Sequence, residues 1–157
     1  MNVPKSVVKL KKNGVEYTSS VDYACYNIFE LSRAAMRDVG RFLTNRMNAA
    51  ARKLPGSKQD KEVKKYTAQF RYKVPYNPNG LPALEVGVQD NKSSWYTADY
   101  ELGSSRSPRR GIMKDTAEAN IAQIIEIESK YLSALEDEAR ALSLIDEGEH
   151  SGGGDEW

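Results

Sequence analysis

Very few side chains in this sequence are equipped for catalysis. Its 157 residues include one His and one Cys. His150 lies in the acidic, Gly-rich run EGEHSGGGDEW, where nothing would hold an imidazole in place for general-base work. Cys25 stands among Tyr23, Ala24, Tyr26 and Ile28, with no neighbouring His or Lys to lower its pKa, so a buried small hydrophobe is expected rather than a reactive thiol. A single Cys and a single His cannot supply the four N and S ligands of an ordinary zinc site.

Carboxylates are more plentiful but poorly disposed for acid-base chemistry. Glu126 with Glu128, and Asp137 with Glu138, fall on a segment with helical periodicity and a solvated face, whereas a glycosidase-like pair must converge from different elements across a cleft. The glycines occur as Asn13-Gly14, Pro55-Gly56, Asn79-Gly80 and in the tail, and none forms a phosphate-cradling loop ending in Lys-Ser/Thr. No catalytic residue, metal ligand or cofactor is nominated, and a non-enzymatic protein is expected.

The charge pattern points instead to contact with other macromolecules. The net charge of +1 is the balance of two opposed halves: residues 1–74 carry 16 Lys or Arg against 6 Asp or Glu, and residues 75–157 carry 7 against 16. Such polarity can neutralise itself within one fold, or join the basic face of one subunit to the acidic face of the next. Hydrophobic residues make up 39% and the mean hydropathy is -0.65, so the core must be thin or shared with a partner. The N-terminus lacks the apolar run of a signal peptide and no stretch is long enough to span a bilayer, so a soluble product of a reducing compartment, with no membrane contact, is expected.

The elements that would carry these groups are legible in outline. Residues 1–20 read as a hairpin about Asn13-Gly14, or as a basic flexible arm through Lys5, Lys9, Lys11 and Lys12. Ser19, Ser20 and Asp22 supply starting chemistry for a long amphipathic helix to Lys53, with Ala24, Ile28, Leu31, Ala35 and Phe42 on its apolar side, ended by Pro55-Gly56. A polar, lysine-rich solvated loop or disordered link is expected over Gly56 to Lys65. Period-two alternation then predicts strands over Ala68–Val74 and Leu84–Val88, with a third, aromatic strand or strand-like loop over Trp95–Leu102.

After the basic loop GSSRSPRRG, a second long helix is expected from about Lys114 to Asp146, capped by Asp115 or Thr116. Its apolar stripe would run through Ile121, Ile124, Ile125, Tyr131, Leu132, Leu135, Ala139 and Leu142. The expected fold is α+β: a small antiparallel sheet of about three to five strands packed against two long helices on one face. Residues 21–146 would form the single domain and 147–157 a disordered tail.

The segment WYTADYELGSSRSPRRGIMKDTAEANIAQII resembles a pattern of the tail-completion and head-tail joining proteins of long-tailed bacteriophages. Tyr100, Glu101 and Gly103 match that family's strand-end element. Pro108, Arg109 and Arg110 stand for its loop, and Ile112-Met113 for the apolar step into its last helix. Ala49 to Pro55, AAARKLP, is similar to the family's Ala-rich, basic segment closed by Pro. The chain departs in having Gly56-Ser57-Lys58-Gln59-Asp60 where the family has an acidic-Thr-Gly-Arg-Leu step, and Pro-Arg-Arg-Gly-Ile for its Arg-Pro-Phe order.

The resemblance implies a structural virion protein at the head-tail junction, made in the bacterial host cytoplasm. It would form a homo-oligomeric ring, six copies being the expectation, between the tail tube protein and the head connector or stopper protein. The loops carrying Lys58, Lys61, Lys64, Arg106, Arg109 and Arg110 are the candidate contacts with a neighbour, the connector or genomic DNA. The competing reading is a nonspecific DNA-binding or adaptor protein using the basic N-terminal half. Strict alternation points Phe70 and Tyr72 away from Arg71 and Lys73, which favours core over a base-stacking platform.

Overall fold

The computed structural model describes residues 4–54, 70–75, 82–88, 94–105 and 108–150. The chain opens with a hairpin of β1 (Val8–Lys12) and β2 (Val15–Ser19), then runs into α1 (Val21–Arg52). A second hairpin pairs β3 (Phe70–Lys73) with β4 (Glu85–Val88). Among the described residues four shorter helices follow: α2 (Ser94–Leu102), α3 (Ile112–Ala119), α4 (Ile121–Ser133) and α5 (Glu138–His150), with a 3-10 turn at Ala134–Glu136 between the last two.

The first turn takes the form its sequence favours. Asn13 and Gly14 both adopt positive φ, 53° and 82°, which a two-residue I′ turn requires, and Leu10 faces Tyr17 across the strands. Of the two expectations for residues 1–20, the hairpin is the one observed.

The long helix α1 spans 32 residues, about 48 Å at 1.5 Å per residue. No Pro interrupts it, and its buried positions Leu31, Ala34, Ala35, Val39, Leu43, Met47 and Ala51 recur at three- and four-residue steps. It organises two packing clusters. Toward its N-terminus, Leu31, Ala34 and Ala35 meet Tyr131, Ala134, Ala141 and Leu144 from α4, the 3-10 turn and α5. Toward its C-terminus, Val39, Leu43, Met47 and Ala51 meet Phe70 of β3 and Ile112 of α3.

The β3–β4 ribbon lies on α1 with Phe70 and Tyr72 fully buried and Lys73 exposed, in the alternation its sequence predicts. Phe70 pairs with Val88 and Tyr72 with Val86. The Asn48 side-chain amide donates to the Phe70 carbonyl at 3.3 Å, tying the strand to the helix.

The expected architecture needs three corrections. The described residues contain two separate two-stranded sheets, not one sheet of three to five strands. Trp95–Leu102 is helical: buried Thr97 and half-buried Tyr100 and Glu101 fall at helical spacing, and Gly103 at φ 80° gives the left-handed stop that ends a helix.

The single helix over Lys114–Asp146 is instead three helices. Asn120 leaves helical geometry, and its side-chain amide donates to the Thr116 carbonyl at 2.7 Å. Asp137 is extended and its carboxylate accepts the N–H groups of Ala139 at 3.0 Å and Arg140 at 3.3 Å, so it starts a new helix. That helix continues through 147–150, part of the expected disordered tail; residues 151–157 lie outside the described residues.

Candidate assembly surface

The motif Tyr100, Glu101, Gly103 clamps the loop that follows it onto the next helix. The Glu101 carboxylate accepts the Met113 N–H, with both oxygens at 3.2 Å, and so occupies the N-terminus of α3, where unpaired N–H groups favour a negative charge. This replaces the expected cap at Asp115 or Thr116, since α3 begins at Ile112. The Arg110 N–H donates to the Tyr100 carbonyl at 2.7 Å. A Cβ on Gly103 would lie 2.9 Å from the Arg109 backbone nitrogen, so the return of the chain requires glycine there both for its φ and for space.

Arg109 is therefore exposed at the tip of a braced loop, and Arg110 is half-buried. Lys58, Lys61, Lys64 and Arg106 lie outside the described residues. The clamp gives Tyr100, Glu101 and Gly103 a shared structural role that their spacing alone did not reveal.

The larger feature is one that sequence reading treated as core. Helix α4 and the 3-10 turn that follows it carry two apolar stripes. Ile124, Ile127, Tyr131 and Ala134 face the packed clusters. Ile121, Ile125, Leu132 and Leu135, at steps of four, seven and three, face outward and remain 54%, 55%, 66% and 45% exposed. Ile28 of α1 continues this outer stripe and is 50% exposed. Of the stripe expected to cover a sheet, only Ile124 and Tyr131 are buried or half-buried; the other six residues are exposed. Full burial of one such side chain stabilises by about 1.5–3 kcal/mol, so a row of them left in water is an unusual expenditure of apolar surface in a monomer.

Leu132, Leu135 and Ile28 border a groove floored by Leu31, Ala35 and Tyr131. Glu128 stands on its wall, and an adjoining depression shared through Ile28 and Leu135 is edged by Glu136 and Glu138. The floor is rigidly set. The Tyr131 hydroxyl donates to the Asp38 carboxylate of α1, and burial, that hydrogen bond and the Asp38 charge together hold its pKa well above the ordinary phenol value. The Tyr23 hydroxyl donates to Glu138 at 2.9 Å, which raises its pKa as well and joins the start of α1 to α5.

The N-terminal hairpin is also largely exposed. Val8, Leu10, Val15 and Tyr17 share one of its faces, and Leu10, Val15 and Tyr17 are exposed. The opposite face carries Lys9, Lys11, Glu16 and Thr18. Cys25, expected to be buried, is exposed, because it lies on the part of α1 that precedes the packed clusters.

The remaining groups raised by the sequence do not converge. Among the described residues, no three His, Cys, Asp or Glu side chains gather as a metal site, and no helix is long and apolar enough to cross a membrane. Glu126, Glu128, Asp137 and Glu138 are exposed on the outer helices. The cations of α1 are in part engaged locally: Arg33 meets buried Glu30 at 3.1 Å, Arg41 meets Asp38 at 3.7 Å, and Arg46 lies 5.3 Å over the Phe42 ring. No family model, curated protein or solved structure matches this chain.

Proposed function

We propose that this chain is a non-enzymatic assembly subunit whose copies join head to tail, and that it serves as a tail-completion or neck protein of a long-tailed phage. The outward apolar stripe of α4 and the 3-10 turn after it carries the reading: Ile121, Ile125, Leu132 and Leu135 repeat with the regularity of a packed seam and remain about half exposed or more. The groove between α1 and α4, with Glu128, Glu136 and Glu138 along it, and the basic, apolar hairpin are two different surfaces, both toward the N-terminal half of α1; contacts in which two different patches meet generate rings when the rotation closes.

The phage setting rests on the resemblance at Tyr100, Glu101 and Gly103 and at the loop through Arg109 and Arg110. In that setting the ring sits between tail tube and head connector, and the exposed Arg52, Lys53 and Arg109 offer cations to a neighbour or to passing DNA. Burial of Phe70 and Tyr72 removes the base-stacking surface a dedicated single-strand binder would need on that strand.

Deletion of the gene from the virus that carries it tests the setting. Negative-stain images should show filled heads and separate tails, with joined particles restored by supplying the gene in trans. Normal joined virions from the deletion would overturn the assignment.

A further inference from the structure

Two exposed apolar surfaces complement one another. The hairpin presents Val8, Leu10, Val15 and Tyr17 on one face, with Lys12 at the turn end of that face and Lys5 just before the first strand, while Lys9 and Lys11 lie on the opposite face beside the single acid Glu16. The groove between α1 and α4 presents Ile28, Leu132 and Leu135, with Glu128, Glu136 and Glu138 along it. A two-stranded hairpin alone is marginal in water and needs an apolar surface to lie on, and the groove needs an apolar occupant with positive charge at its edge.

We infer that the N-terminal hairpin of one copy docks by its Leu10–Tyr17 face into the α1–α4 groove of a second copy. The inference rests on the assembly reading above and names the contact that carries it.

The hairpin's own groove is a poorer destination. A single residue, Ser20, separates β2 from α1, and both sides of it are pinned: the Ser19 hydroxyl accepts the Val21 N–H at 3.3 Å and the Ser20 carbonyl accepts the Ala24 N–H at 3.0 Å. These bonds fix the link, and in this arrangement Leu10 is 60% and Tyr17 58% exposed. A second copy supplies the same groove without bending that link. Docking of this kind is heterologous, because each copy uses its hairpin toward one neighbour and its groove toward the other.

Disulfide trapping between separately made chains tests it. In a Cys25→Ala background, one full-length variant carries Leu10→Cys and another carries Leu135→Cys; they are mixed and mildly oxidised. The expected result is a cross-linked dimer in the mixture at least tenfold above either variant alone, and at least tenfold above a mixture in which Lys9→Cys, on the opposite hairpin face, replaces Leu10→Cys.

Two outcomes overturn the inference: no preference for the Leu10–Leu135 mixture, or a chain carrying both substitutions that closes on itself as a compact monomer. Sedimentation of the parent chain separates the two levels. Oligomers without the trap discard the hairpin contact alone, whereas a monomer at every concentration discards the assembly reading with it.

Discussion

The ring of Tyr72 packs against the bare backbone of Gly40. A Cβ added there would stand 2.5 Å from Cδ2 of the ring and 2.9 Å from the Leu84 side chain. The contact seats the β3–β4 ribbon on α1 and explains a glycine in the middle of a 32-residue helix. Gly40→Ala should gain helix propensity of about 1 kcal/mol yet lose more through overpacking, which costs roughly 1–3 kcal/mol. A net loss of stability in urea unfolding is expected; a stabilised variant would show that the ribbon can shift without cost.

The clamp made by Glu101 and Gly103 predicts a graded series. Glu101→Gln keeps an acceptor for the Met113 N–H and should cost less than Glu101→Ala, which is expected to lose about 1 kcal/mol, as for loss of a helix cap. Gly103→Ala should be the most harmful of the three, because φ is 80° and the Arg109 backbone lies in the way. Thermal unfolding of the three variants checks the order, and equal melting temperatures would remove the clamp's structural role.

Tyr131 ties stability to alkaline pH. Burial first, and then the hydrogen bond to Asp38, raise its folded pKa above the unfolded value of about 10. The folded state thus favours the neutral phenol: the stabilisation is full below about pH 10 and is lost as pH rises from there through the folded value. Tyr131→Phe should flatten that alkaline loss and, by leaving Asp38 without its donor, cost about 1 kcal/mol near neutrality. Melting curves of both proteins between pH 7 and 11 check it; parallel alkaline declines would contradict it.

Much of this fold is legible in local chemistry. The Asn13-Gly14 turn, the uninterrupted amphipathic run of α1 and the alternation at Phe70 and Tyr72 each reflect a single dominant constraint, and each element forms where expected. The errors arise where two constraints compete. The aromatic content of Trp95–Leu102 favours a strand, but the helical spacing of Thr97, Tyr100 and Glu101 and the stop at Gly103 prevail. Asn120 and Asp137 sit inside an apolar periodicity that continues past them, yet their side chains hydrogen-bond nearby backbone groups and break the helix.

The candidate surface was hidden for a related reason. Hydrophobic periodicity identifies which residues seek burial but not whether the burying partner belongs to the same chain. Ile121, Ile125, Leu132 and Leu135 therefore read as core until α1 is seen to pack only on the inner stripe of α4. The opposed charges of the two halves were the available clue, since they allowed a contact between copies.

Sedimentation velocity on the full chain and on Leu135→Glu, over a wide range of concentration, tests self-assembly most directly. The parent should move increasingly into species larger than a monomer, and the variant, with its far-UV spectrum and melting temperature retained, should remain monomeric because a carboxylate now stands in the acidic groove. A parent that stays monomeric throughout, or a variant that associates as readily as the parent, would contradict it.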